Sequence, residues 1–162
     1  MKILFKQLKR LTKVAPVYFV YGNHENKTKF TKNNIIILND QEVHLSNITL
    51  IDRKDYTNKN QKKTKDYHLT NKTYNIVLSH QPQGTKENIK NNVDLQLSGH
   101  THNGQMFPFS YSYHLQSDFA GNYGKETFKH HTKLISSGLV DWGFPIRTEG
   151  ICEYVVVNIK QA

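Results

Sequence analysis

The sequence predicts an α/β protein in which helices and strands stack in layers. Three observations carry this. Residues 17–21 (VYFVY) form a continuous apolar run of β-formers, the pattern of a strand buried on both faces of a layered sheet. Similar short apolar runs recur at 35–38, 74–78, 93–97 and 133–137, with helical patterns at 2–13 and 84–92. Three of the runs end in clusters of Asn and His, and in layered α/β folds sites gather at the carboxyl ends of strands.

Taken in order, residues 2–13 place Leu4, Leu8 and Leu11 at helical spacing with lysines between them. Such a helix packs on a sheet or lies on a membrane surface. Pro16 stops it. The 17–21 strand ends in Gly22-Asn23-His24-Glu25, and the polar stretch 26–34 reads as a short helix or loop. After the 35–38 strand and an Asn39-Asp40 turn, residues 43–51 alternate weakly and read as one strand or a hairpin partner. Residues 53–72 are rich in Lys and Asn with almost no aliphatic content, which predicts a long, mobile surface loop with His68 solvated inside it. The 74–78 strand ends in Ser79-His80-Gln81-Pro82. The 93–97 strand leads into LSGHTHNGQMFP, residues 97–108. Residues 105–132 are an aromatic and polar excursion without a clear period. Residues 133–137 and 151–159 are expected strands, the latter closing the chain. Neither a repeat nor a linker divides residues 1–162, so a single domain is expected.

Composition narrows the function classes. With 36% hydrophobic and 11% aromatic residues, wholesale disorder is excluded. The single cysteine, Cys152, excludes an intramolecular disulfide and a CxxC zinc site, and its setting ICEYVVV predicts a buried strand thiol. The net charge of +9 concentrates in residues 1–32 and 53–72. That balance suits nucleic acid, an anionic membrane, an anionic substrate or an ordinary solvated surface. No apolar stretch approaches transmembrane length, and lysines break the amino-terminal segment where a signal peptide would be apolar, so a cytoplasmic or membrane-peripheral location is expected.

The chemistry lies in the histidines. His100 and His102 sit one residue apart where a strand has ended, with Gly99 and Gly104 expected to supply the backbone freedom that aims them at a common point. Alone, an H-x-H pair is as easily two surface histidines. Asn23, His24 and His80 arrive at equivalent strand ends, and that coincidence makes a site of borderline-metal character. The other five histidines, His44 in a strand pattern and His68, His114, His130 and His131 in polar loops, are left out.

GNHE at 22–25, SHQP at 79–82 and GHTHNGQ at 99–105 resemble, in order and spacing, the later motifs of the calcineurin-like metallophosphoesterases. The segment Trp142-Gly143-Phe144-Pro145-Ile146-Arg147 resembles the W-G-x-P-x-R stretch of a bacterial branch of that family. The resemblance implies a four-layer αββα sandwich of two mixed sheets, with two divalent ions (manganese, iron or zinc) holding a phosphoester and a nucleophilic water. It implies that Asn23, His80 and His100 bind one ion and that Asn23 also touches the phosphate. His102 binds the other ion. His24 acts near the leaving-group oxygen as a general acid or transition-state stabiliser. Arg147 is a candidate substrate contact.

The family's two earlier motifs, D-x-H and G-D-x-x-D, do not occur in the 22 residues before Asn23. The expectation is therefore the C-terminal part of the sandwich, with the first strands missing. The dinuclear site would be incomplete, at most one ion well bound, and the chain would have little activity alone. A split enzyme completed by a partner chain carrying those motifs is the alternative. A basic, non-enzymatic module for nucleic acid or anionic membrane is a third reading.

Overall fold

The computed structural model describes residues 2–24, 35–114 and 121–160. The expected 26–34 segment and part of the 105–132 excursion lie outside the described residues. Helix α1 (Lys2–Leu11) leads through a turn to Pro16 and strand β1 (Val17–Val20). Strand β2 (Ile35–Leu38) pairs parallel to β1 in a two-stranded sheet. A six-stranded sheet follows: β3 (Glu42–Leu45), β4 (Ile48–Arg53), β5 (Tyr74–Ser79), β6 (Leu95–Ser98), β7 (Gly124–Phe128) and β8 (His131–Ile135). Its order is β3-β4-β5-β6-β8-β7, with β4, β5, β6 and β8 parallel and both edge strands antiparallel. Helix α2 (Thr85–Lys90) carries the crossover from β5 to β6, and helix α3 (Phe109–His114) lies between β6 and β7.

Strand periodicity explains the core. Leu50, Ile76 and Leu95 are in register across β4, β5 and β6, so they share one face. They pack with Leu38 of β2, and with Tyr18 and Val20 of β1, so the two sheets meet face to face. On the opposite face Ile51 and Val77 join Val93 and Tyr67, with Leu69 against them. Burial of such side chains is the main favourable term of the fold.

Several expectations are corrected. Segment 53–72 is largely exposed, as expected, but Arg53, Thr64 and Tyr67 anchor it in the interior. Tyr67 is buried and its hydroxyl donates to the Asp52 carbonyl at 2.6 Å. Buried Thr64 donates to Asn88, which donates to Gln96, and the Arg53 guanidinium pairs with Glu87 at 3.2 Å. A buried polar chain of this kind ties the loop to α2 and β6, and composition alone does not reveal it. His68 is exposed as expected, though its Nδ1 meets Glu42 at 2.7 Å. Residues 43–51 resolve into a β3–β4 hairpin of their own. Strand β1 is half-buried on all four residues, and Leu11 of α1 is exposed.

The expected closing strand at 151–159 does not form. Ile151, Tyr154, Val156 and Ile159 are exposed, and no described strand forms a ladder with the segment. Propensity without a pairing edge makes no strand. Cys152 is accordingly exposed, not a buried thiol. His131 is not in a loop. It opens β8, fully buried, with its Nδ1 on the Val93 carbonyl at 2.9 Å. Strand β7 had no legible signal, because GKETF carries little apolar content. Among the described residues, no helix is long and apolar enough to cross a membrane.

Two outcomes test this packing. Replacing Ile51, which has no exposed surface, by Ala should cost about 2–5 kcal/mol in urea denaturation. Asp52 is buried, with one carboxylate oxygen accepting from the Asp40 amide at 3.0 Å and the other without a partner. Burial, reinforced by the Asp40 charge, pushes its pKa up to about 7. The folded state therefore holds a proton that the unfolded state has released between about pH 4 and pH 7. Stability from this group falls as pH rises through that window. Asp52→Asn should flatten that slope when melting temperatures are compared across the window.

Candidate metal centre

The site stands at the carboxyl ends of β1, β5 and β6. Because β5 and β6 are parallel neighbours with Leu78 opposite Leu97, the residues that follow them emerge side by side. The Gly99 amide donates to the His80 carbonyl at 3.0 Å, locking the two exits together. His100 Nδ1 lies 3.0 Å from His80 Nε2, with the rings 4.7 Å apart and tilted by 71°. From the other sheet, Asn23 brings its Oδ1 to 2.9 Å from the same His80 Nε2.

The backbone reaches this arrangement with strain. His100, His102, Asn103 and Gln105 all have positive φ, between 51° and 71°. Each non-glycine residue there costs on the order of 1 kcal/mol, and such residues persist at functional sites because the surroundings hold them. The expected roles of the glycines are thus corrected in part. Gly104 adopts φ +78°, while at Gly99 the histidine after it, not the glycine, takes the left-handed turn.

The electrostatics favour lone pairs. Burial, with His100 beside it, pushes the His80 pKa down to about 4. Burial lowers His100 as well, and burial together with Arg147 lowers His102. All three imidazoles are therefore held neutral, the state in which a histidine binds a metal. A single proton on His80 Nε2 cannot fully serve both Asn23 and His100. Donor atoms bound about 2.0–2.1 Å from one ion lie roughly 3 Å from each other, and His80 Nε2 stands at that spacing from both Asn23 Oδ1 and His100 Nδ1. The donor set of one amide oxygen and two imidazole nitrogens therefore fits a divalent ion. Among the described residues no three His, Cys, Asp or Glu side chains converge in this way. The site is two imidazoles and an amide.

His102 stands apart from that trio. Its ring faces the Val140 backbone, and its carbonyl accepts from Arg147 at 2.9 Å. His24 Nε2 accepts the Trp142 indole N–H at 3.2 Å. Asn23, His24, His80, His100 and His102 all line one cavity of about 290 Å³, closed on its apolar side by Met106, Phe109 and Trp142. Arg147 does not line it. Its Nε donates to Asp141 at 2.8 Å, and its side chain is mostly buried in the 139–150 loop.

Sequence reasoning passed over three residues here. Asp55 accepts from Thr57, and although burial opposes its charge, those bonds hold its pKa low. Its charge bears on both His80 and His100. It follows β4, and the strand-end logic applied to that strand would have found it. Gln105 and Trp142 stood inside quoted motifs, but only their contacts give them separate roles.

Comparison with known proteins agrees with the geometry. The model of the calcineurin-like phosphoesterase family matches residues 2–104. An uncharacterized metallophosphoesterase of Helicobacter pylori is 35% identical over 157 residues, covering 86% of this chain and 41% of that protein. One from Campylobacter jejuni is 41% identical over 86 residues, covering 52% of this chain and 22% of its own length. A transmembrane protein with a metallophosphoesterase domain from Danio rerio is 33% identical over 90 residues, covering 54% of this chain and 20% of that protein. The chain thus spans less than half the length of each of these relatives. No solved structure matches it. Motif order, strand-end convergence and these matches lead to one conclusion: the chain belongs to the calcineurin-like phosphoesterase family.

Proposed function

We propose that the chain carries the asparagine–histidine half of a phosphohydrolase centre, and that it has little activity until the other ligands are supplied. The observation that supports this reading is that Asn23 Oδ1 and His100 Nδ1 both lie within 3.0 Å of His80 Nε2. Asn23, His80 and His100 hold one divalent ion, with manganese, iron and zinc all suited to such donors. When bound, the ion supplies Lewis acidity to a phosphoryl oxygen and acidity to a water. His102, which lines the same cavity, is the residue assigned to a second ion.

The protein's own groups do the rest. Neutral imidazoles bind without cancelling the positive charge that meets a phosphate. The Asn23 amide has an NH2 to offer a phosphate oxygen once Oδ1 is engaged. His24 lines the same cavity, and on this reading it gives a proton to a leaving oxygen. The apolar wall of Met106, Phe109 and Trp142 receives the substituent of a phosphoester. Arg147, bonded to Asp141 and to the His102 carbonyl, supports this wall rather than the phosphate. A complementing chain bearing D-x-H and G-D-x-x-D would complete the centre. The absence of a membrane-length helix among the described residues is compatible with a protein working in solution or against a membrane surface.

Calorimetry with Mn2+ tests the centre. His80→Ala should weaken binding by at least about tenfold, since loss of even supporting groups around a metal costs that much. Unchanged binding would remove the assignment. The chain alone should hydrolyse bis(p-nitrophenyl) phosphate with Mn2+ barely above the metal-only rate, and co-expression with a chain carrying the two missing motifs should raise it. Robust hydrolysis by the purified chain alone would contradict the incomplete-site reading.

A further inference from the structure

The 139–150 loop forms one wall of the cavity, yet nothing apolar anchors it. Leu139, Val140, Phe144 and Ile146 are all exposed. Polar bonds hold the loop: Arg147 donates to the His102 carbonyl, Glu149 accepts from Ser110, and one buried side chain of the histidine motif makes the most of them. The two Nε2 hydrogens of Gln105 face three loop carbonyls, those of Trp142, Phe144 and Ile146, at 2.9, 3.0 and 3.0 Å. Its Oε1 accepts from the Trp142 amide at 2.6 Å. Its own carbonyl accepts from the amides of Thr148 at 2.9 Å and Glu149 at 3.1 Å. Gln105 is only 4% exposed and sits at φ 58°, ψ −45°, a backbone region rarely occupied by residues with side chains. A residue held there is over-determined by its surroundings, and here the surroundings are the loop.

The loop reaches His24 through Trp142, whose indole donates to His24 Nε2 while its ring closes the cavity. We infer that Gln105 is a positioning residue for His24. By clamping the 139–150 loop it holds the Trp142 indole on His24 and fixes the apolar wall opposite the ligand trio. The residue thus couples the histidine motif, on which it sits, to the orientation of a histidine on the other sheet. The inference rests on the proposed phosphohydrolase reading for the role of His24, but not for the clamp itself.

Trp142 is the chain's one tryptophan, so its emission reports the loop without a label. Two variants separate the functions of the amide. Gln105→Glu keeps an acceptor for the Trp142 amide and loses the donors; Gln105→Met keeps the shape and loses both. Far-UV circular dichroism of both variants should match wild type. Time-resolved anisotropy of Trp142 should gain a nanosecond component in both, the mark of a released loop. Addition of Co2+, a paramagnetic probe, should quench Trp142 in wild type, and the quenching should be largely lost in both variants while calorimetry shows Co2+ still bound. Unchanged anisotropy in a folded Gln105→Met protein would overturn the clamp. So would global unfolding of both variants, since a clamp confined to one loop leaves the sheets intact. If wild type binds no Co2+, the metal reading fails, and the anisotropy alone decides the role of Gln105.

Discussion

The parallel pairing of β5 with β6 is the constraint on which the rest depends. Parallel neighbours in register deliver the residues beyond their ends to adjacent positions. Here those residues are His80 and His100, with imidazole nitrogens 3.0 Å apart. The pairing is secured well below the site, by Ile76 and Leu95 on one face and by Val77 with Val93 on the other. The second sheet packs on the first of these faces through Tyr18, Val20 and Leu38, and that packing brings Asn23 and His24 to the same place. Apolar burial therefore sets the separation of the polar atoms, and the chemistry inherits its precision from the core.

Above the strands the structure works against its own backbone preferences. Four non-glycine residues within six positions adopt positive φ. The strain is balanced by hydrogen bonds rather than by burial of apolar surface, with Gln105 at their centre and Arg147 closing the loop onto the His102 carbonyl. A site built this way is held rigidly where the sheets end and by side-chain amides where they do not. It keeps its histidines neutral by burial, so the same desolvation that strains the polar groups leaves their lone pairs free for a cation.

Much of this was legible in the sequence, for a physical reason. Strands buried on a sheet interior read as apolar runs, and β2, β5, β6 and β8 lie within two residues of where those runs fall. The polar endings of β1, β5 and β6 singled out Asn23, His80, His100 and His102, the first three of which meet in the structure. What stayed hidden depends on contacts distant in sequence. Thr64, Asn88 and Gln96 make a polar chain that no composition window can show, so the buried anchor of an otherwise exposed Lys- and Asn-rich loop went unseen. His131 looked like a loop residue because its burial comes from the Val93 carbonyl, 38 positions away. The run around Val155 looked like a strand because apolar pattern reports propensity and is silent on whether an edge awaits it. Gln105 stood in plain view inside a motif, but its role needs six bonds to residues well down the chain.

The central claim is that Asn23, His80 and His100 form one divalent-ion site. Anomalous diffraction from crystals of this chain grown with Mn2+ tests it most directly. The account predicts a single strong peak bounded by Asn23 Oδ1, His80 Nε2 and His100 Nδ1. A peak elsewhere, with those three atoms still bonded only to one another at saturating Mn2+, would contradict it.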